Sequence, residues 1–431
     1  MPQEVKKSKN AIVDKKKSKN RASKDAKKKS KTITKEEKSR DQSKESKGIE
    51  NKTRKEEKKN ERKSSVESKS KGTPSKGQSE KERDLINKKK FCSKFFVDSL
   101  NCKKLMKEFV DLRAPSTCVA NAMKGHSSKC RYNDIICADA TRVVLRGRPK
   151  NDDFIHANWM TMPDKFQYIS AQGPMEESLE DFWHMIYTEK TPSIVMICDF
   201  TEDGVQKCAR YIPLETDKSK QCGIYKVTRI TDPVTMIFDD VFLQDIEVSM
   251  PSKPDAPVHV VKHYHYRNWR DHSAPLKSDS VLKLLKSLRE SEIKGAPVVH
   301  CSAGIGRTAT FIGVDYGSQR IGQLGDRLKD ILDLVREMRL MRDKAVQSHH
   351  QFIFMLVCIS DLMVAQGVPR NEDMLDLLDF YRDFMENAKK KREEKAKKKK
   401  QKEEAEKAKV ENNLDVDPTQ ESECSTAKDI Q

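Results

Sequence analysis

The sequence predicts one α/β domain, a twisted and mostly mixed β-sheet flanked by helices, set between a disordered basic N-terminal tail and a charged C-terminal tail. Three observations lead to that class. Apolar clusters begin only at Phe91 and end near residue 385. Short β-branched runs bounded by Pro, Gly and Asp fill the first part of that span, and helical periodicity fills the rest. The two kinds of element mix without strict alternation, which argues against a doubly wound sheet.

Residues 1–90 hold 33 Lys and Arg against 15 Asp and Glu, the whole of the chain's net charge of +18. The remainder is neutral and needs no polyanionic partner. This tail has no Phe, Tyr or Trp, too little apolar surface to offset the entropy of ordering. As a polycation it can contact acidic proteins, nucleic acid or anionic lipid non-specifically, yet it lacks aromatics for base stacking.

Phe95, Phe96, Leu100, Leu105 and Phe109 fall at helical spacing and predict an opening helix within 91–112. Between Ile135 and Asp240, the runs Arg142–Leu145, Ser193–Cys198 and Gly223–Ile230 read as strands, and His259–Tyr266 and Ala296–His300 add two more. Helices are expected over Ser280–Leu288, Thr308–Gln319, Asp326–Met341 and Ser348–Ala365, which completes a folded domain over 91–370. Asn371 is expected to cap an amphipathic helix over 371–385, with Met374, Leu377, Leu378, Tyr381 and Phe384 on one face. Residues 386–431 read as a charged low-complexity tail. Its Lys389–Arg392 and Lys397–Lys400 clusters resemble nuclear-import signals, while Glu and Lys four residues apart support a solvated helix with no partner.

Eleven cysteines show no C-x-x-C and no His–Cys ligand spacing, so reduced thiols and no metal site are expected. No apolar run approaches the ~20 residues of a membrane span, and the N-terminus is polar. The expected location is the cytoplasm, with the nucleus second.

Chemistry concentrates between Val298 and Thr308, in the run VVHCSAGIGRT. A buried strand ends at His300, a loop with two glycines turns, and a helix begins. Gly304 and Gly306 let successive N–H groups face one concavity, a nest for an anion, and the helix start adds its positive end. Cys301 held there is expected to ionise below its usual ~8.5. Arg307 can take two phosphate oxygens with its planar fork, and Thr308 can donate to the sulfur. A buried structural cysteine is the ordinary explanation for a lone Cys. Of the eleven, however, only Cys301 has an arginine six residues on.

On these residues the chain resembles the tyrosine-specific protein phosphatases, of the non-receptor kind with a single catalytic domain, over about residues 91–366. The likeness extends in order to Lys129–Asp134, Gln172-Gly173-Pro174, Asp181-Phe182-Trp183, Lys207–Tyr211 and Gln347–Gln351. It implies hydrolysis of phosphotyrosine in proteins, within signal transduction, without metal or organic cofactor. Cys301 would attack phosphorus and form a cysteinyl-phosphate. Arg307 and the loop of Ser302, Ala303, Gly304, Ile305 and Gly306 would hold the equatorial oxygens. Asp271 would protonate the leaving tyrosine and then serve as base. Gln347, with Gln351, would place the water. Tyr132 would stack on the substrate ring and set the pocket's depth, and Asp134 would hold the peptide backbone. His300 would tune the thiolate, Glu202 would orient Arg307, and Lys207 would help hold the acid loop that begins at Trp269.

That acid loop departs from the family's Trp-Pro-Asp-x-Gly-x-Pro and reads Trp269-Arg270-Asp271-His272-Ser273-Ala274-Pro275. Arg270 frees φ and adds a donor, and Ser273 gives up glycine's permissive backbone. A shifted loop closure and slower turnover are the expected consequences. The alternative function on the same residues is a catalytically weak phosphotyrosine-binding module. A dual-specificity phosphatase shares the Cys-x5-Arg loop, but its shallow pocket needs neither Tyr132 nor Gln347. Lys344 is expected at the pocket rim, narrowing access or attracting acidic peptides.

Overall fold

The computed structural model describes residues 80–112, 118–214, 216–231, 233–322, 328–367 and 369–414. The basic tail through residue 79 and the segment after 414 lie outside the described residues. The described strands are β1 Arg142–Val144, β2 Phe154–Thr161, β3 Gln167–Ala171, β4 Ser193–Met196, β5 Thr201–Glu202, β6 Val205–Gln206, β7 Ser219–Cys222, β8 Tyr225–Arg229, β9 Thr235–Phe238, β10 Val241–Ser249, β11 His259–Tyr266 and β12 Val298–His300. The helices are α1 Glu80–Ser99, α2 Cys102–Asp111, α3 Asn121–Lys124, α4 Leu179–Thr188, α5 Asp279–Arg289, α6 Arg307–Gly322, α7 Asp333–Met341, α8 His349–Ala365 and α9 Leu375–Leu414.

All strands but the β5–β6 pair join one sheet in the order β1-β2-β3-β12-β4-β11-β10-β8-β7, with β9 on β10. Its centre, β3-β12-β4-β11, is parallel, and the remaining pairs are antiparallel. The mixed sheet is the one expected. Strand periodicity sends neighbours to opposite faces. Val298 joins the core on the α4 side, with Phe182 and Trp183, while Val299 joins the core built with Phe311, Ile312 and Ile353 of α6 and α8.

Ligands of open α/β sheets collect beyond the carboxyl ends of parallel strands. Here Ala171, His300 and Met196 lie in register as the last residues of β3, β12 and β4. The loops that follow them therefore meet at one edge, and Cys301 opens the central one.

The helix expected over Asp326–Met341 begins at Asp333, and three further boundaries differ from expectation. The opening helix is two helices, divided at Asn101, whose side chain accepts the Lys104 amide at 3.1 Å. The first reaches back to Glu80, into residues that composition assigned to the basic tail; buried Cys92 and Phe96 anchor its second half while 82–91 stay exposed. At the other end the amphipathic helix does not stop at 385. A 3-10 turn, Asn371–Met374, leads into α9, which runs unbroken to Leu414. Met374, Leu377, Tyr381 and Met385 bury its first turns, and beyond them i,i+4 pairs such as Lys400–Glu404 line an exposed helix.

Candidate active site

Between β12 and α6, every carbonyl from residue 301 to 306 is engaged by a named donor. Cys301 O accepts His300 Nδ1–H at 3.2 Å, Ser302 O the Gly173 amide at 2.9 Å, and Ala303 O a donor from Arg342 Nη2 at 2.9 Å. Gly304 O accepts Arg342 Nε at 3.2 Å and Ser170 Oγ at 2.9 Å. Ile305 O takes the Val346 amide at 2.8 Å, and Gly306 O the Thr310 amide at 2.9 Å. The amides show the opposite pattern. That of Gly304 donates to Cys301 Sγ at 3.3 Å. Those of Ser302, Ala303, Ile305, Gly306 and Arg307 have no protein acceptor among the described residues. Carbonyls tied back and amides left free make an anion nest.

The two glycines are needed for different reasons. Gly304 has φ of +70°, and a Cβ there would lie 2.2 Å from Ala171 O. At Gly306 a Cβ would come within 2.8 Å of Gln347 Oε1 and 2.9 Å of Gln351 Nε2, so its absence admits both glutamines to the loop.

Arg307 is fully buried. Its Nη1 donates to Glu202 Oε1 at 2.5 Å and to Trp269 O at 2.8 Å. Burial alone would lower its pKa, but Cys301 and Glu202 raise it further and keep it charged. Nε and Nη2 have no hydrogen-bond acceptor; Asp271 Oδ1 is 3.3 Å from Nη2, a charge contact without hydrogen-bond geometry. Buried donors left open cost about 1–3 kcal/mol each, a cost expected where a ligand supplies the acceptors.

The acid loop lies folded against this arginine. Lys207 Nζ donates to Asp271 Oδ2 at 3.0 Å. Burial pushes the Asp271 carboxyl up, but Arg307 and Lys207 outweigh it and hold it below the usual carboxylate range. Trp269 is buried and its Nε1 donates to Ser273 O at 2.8 Å. Positive φ falls on Asn268 and His272, not on Ser273, so the expected backbone cost of serine in place of glycine does not arise. Thr308 Oγ1 is buried with no partner; its expected bond to sulfur is absent, and the Gly304 amide serves Sγ instead.

Behind the loop, burial pushes His300 down to about 3 and leaves it neutral. Because its Nδ1–H goes to Cys301 O, its Nε2 accepts the Tyr211 hydroxyl at 2.8 Å. The Tyr211 oxygen then accepts from His263 Nε2 at 2.6 Å, and Gln244 Nε2 lies 3.4 Å from His263 Nδ1.

In front is a cavity of about 420 Å³ lined by Tyr132, Asp134, Lys207, Asp271, Cys301 and Gln347 among others. Tyr132 is hydrogen-bonded to Ser302 Oγ at 3.0 Å. Gln351 is buried, accepts the Ser348 amide at 3.1 Å, and has an unpartnered Nε2. Of the residues singled out from the sequence, Tyr132, Asp134, Lys207, Asp271, Cys301, Ser302, Ala303, Ile305, Lys344 and Gln347 line this cavity, while Glu202, Trp269, His300, Gly304, Gly306, Arg307, Thr308 and Gln351 do not. Lys344 stands at the rim as expected and bonds Asp134 at 2.7 Å, a bond and charge that lower the Asp134 pKa. Arg342 was not foreseen; a basic residue in a helix-ending run reads as solvent-facing, and nothing in one sequence marks it as buried. Among the described residues no cluster of His, Cys, Asp or Glu is placed to hold a metal, and no helix is long and apolar enough to cross a membrane.

The family model described as Protein-tyrosine phosphatase matches residues 126–361. The chain is 32% identical over 244 residues to receptor-type tyrosine-protein phosphatase eta of Gallus gallus, covering 55% of this chain and 17% of that one. It is 31% identical over 271 residues to tyrosine-protein phosphatase non-receptor type 20 of Homo sapiens, 62% of each chain. To non-receptor type 9 of Rattus norvegicus it is 30% identical over 304 residues, 65% of this chain and 50% of the other. The match therefore spans less than two thirds of these relatives' length. It takes in more than half of this chain and the whole site from Tyr132 to Gln351, and the chain belongs to the protein-tyrosine phosphatase family.

Proposed function

We propose that the protein hydrolyses phosphotyrosine in other proteins, with Cys301 as nucleophile. One observation carries this reading: the loop and helix start that follow Cys301, whose Sγ receives the Gly304 amide, hold five free amides and two open Arg307 donors. They form a preorganised shell for the oxygens of a phosphoryl group, aimed where charge develops during transfer.

The sulfur attacks phosphorus in line, the S–P bond forms, and the P–O bond to tyrosine breaks. Asp271 supplies the proton to the departing oxygen. Arg307 and Lys207 hold that carboxyl below the usual carboxylate range. A phosphate dianion on Arg307 neutralises one of those charges and brings a like charge beside Asp271; both effects raise its affinity for a proton. The acid is therefore protonated by the arrival of its own substrate. In the second step water, placed by Gln347 and Gln351, attacks phosphorus; Asp271 takes its proton and the S–P bond breaks. Tyr132 forms the pocket wall on which the substrate ring stacks. Glu202 fixes Arg307, and His300 holds the Cys301 carbonyl.

The test is phosphate release from a phosphotyrosine peptide by the full chain beside Cys301→Ser. Release by the parent alone supports the reading. Tight peptide binding with no release by the parent would install the weak binding module in its place. The same reading puts the enzyme in the cytoplasm, with nuclear entry through the exposed Lys389–Arg392 cluster of α9. A fluorescent fusion whose distribution ignores replacement of that cluster would remove the nuclear part.

A further inference from the structure

A second cavity, of about 310 Å³, shares no lining residue with the substrate pocket. It lies past the end of β4 and is walled by Phe200, Phe242, Ile212 and Pro213. Three arginines line it, Arg210, Arg229 and Arg267, against the single carboxylate of Asp199. Arg210 sits over the Phe200 ring at 4.9 Å and Arg267 over the Phe242 ring at 4.4 Å. A ring holds a guanidinium by its face and leaves the N–H edge for another acceptor. Arg267 spends one donor on His265 Nδ1 at 3.3 Å. Among the described residues neither Arg210 nor Arg267 has a carboxylate in salt-bridge range, and Asp199 is 3.3 Å from His265 instead. The two positive forks of Arg210 and Arg267, held flat on aromatic walls, suit a compact dianion.

We propose that this cavity is a second phosphate site, taking a phosphoryl dianion either free or on the stem of a phosphate monoester, and that its occupancy is felt at the Cys301–Arg307 loop. Two hydrogen-bonded paths lead there. The Asp199 amide donates at 3.0 Å to Glu202 Oε1, the oxygen that receives Arg307. Gln244, which lines the cavity, begins the chain through His263, Tyr211 and His300 that ends on Cys301 O. Both paths act through positioning, and of their members only Cys301 lines the substrate pocket.

The experiment titrates full-length Cys301→Ser with inorganic phosphate and with O-phospho-L-serine by calorimetry, with and without Arg210→Gln and Arg267→Gln together. Two sites are expected in the parent, and at least tenfold weakening of one in the double variant. A single saturable site in the parent, or unchanged titration of both in the variant, overturns the proposal. Equal affinity for the two probes assigns free phosphate; a tenfold preference for the monoester assigns a phosphorylated stem. With Cys301 restored, turnover of the double variant without added phosphate should stay within about twofold of the parent, which shows that it folds. If it does not, Arg210→Gln alone repeats the titration, since the described contact of that guanidinium is the Phe200 ring. In the restored enzyme, a change in kcat on adding O-phospho-L-serine that the variant loses reports the coupling. Inhibition confined to KM and present in both refutes it.

Discussion

Replacing Arg342 with Met asks whether the anion nest is held from behind. Arg342 is completely buried and donates to Gly304 O, Ala303 O, Asn158 Oδ1 at 2.6 Å and His156 Nδ1 at 3.1 Å. After the change Gly304 O keeps Ser170 Oγ, but Ala303 O, Asn158 Oδ1 and His156 Nδ1 lose the donor described here. Three orphaned acceptors cost about 3–9 kcal/mol before relaxation. Against this, methionine removes a guanidinium that burial holds below its ordinary pKa and that no carboxylate within salt-bridge range offsets among the described residues. The expected loss of stability is about 2–4 kcal/mol. Catalysis should lose more than proportion. The Ala303 and Gly304 carbonyls share peptide planes with the Gly304 and Ile305 amides, so a carbonyl freed to rotate takes a nest donor with it. Losing one such donor costs about 100- to 1000-fold in kcat. The assay is kcat and KM on a phosphotyrosine peptide beside a urea midpoint, with Arg342→Lys, which keeps one charged donor nitrogen in place of the guanidinium's three, falling between. A kcat within threefold of the parent despite a lowered midpoint would show that the glycines alone shape the loop, and the reasoning would be wrong.

Lys207→Met removes one of the three groups, Arg307, Lys207 and His272, that hold the Asp271 carboxyl down. The acid then keeps its proton to higher pH, and the alkaline limb of the kcat/KM profile should move up; movement downward contradicts the assignment. His156 and His300 are both pushed down to about 3, chiefly by burial. The unfolded chain protonates each near ~6.5 and the folded chain does not. Their contribution is therefore complete above that pH and lost as pH falls toward 3, with a slope approaching about 2.7 kcal/mol per pH unit for the pair. Urea midpoints at pH 7, 6 and 5 measure it, and a flat series counts against neutral burial. Lys344→Ala frees Asp134, so KM for a peptide should fall while KM for a small aryl phosphate stays put; equal changes in both refute the pairing's role. Arg270→Pro removes an exposed side chain and an amide without an acceptor among the described residues. Turnover should change by less than about threefold with a slight gain in stability, on the order of 0.4–1 kcal/mol; restoration of a large lost rate would show that proline mattered.

Much of the centre of this fold is legible in one sequence because local signals agree there. His259–Tyr266 and the Val298–His300 strand are bounded by turn residues, and Ser348 caps α8 through its bond to the Gln351 amide. Other strands gave no signal. Phe154–Thr161 is buried along most of its length, so it does not alternate, and Asn158 and His156 inside it serve Arg342 rather than any periodic pattern. The front of the site was legible because phosphate chemistry restricts residue types: a thiol, a fork, an acid. Its back was not. Arg342, Tyr211 and His263 act by hydrogen bonds made across the fold, which brings Tyr211 to His263 and His300 and His156 to Arg342.

The acid loop carries that distinction furthest, since its sequence departs from the family while its groups still meet at the site. Trp269 O rests on Arg307 and Trp269 Nε1 on Ser273 O. Lys207 holds Asp271, Ser348 Oγ donates to His272 O at 3.3 Å, and α9 contributes Tyr381 to Pro275 O and Arg392 to Ser273 Oγ. Nearly all of these contacts use backbone oxygens or the carboxylate of Asp271, and none uses the side chain at 270. The left-handed turns sit at Asn268 and His272, so glycine is not needed at 273, where serine instead receives a bond from α9. A loop positioned by its neighbours can change its own letters at positions those neighbours do not touch, and 270 is such a position.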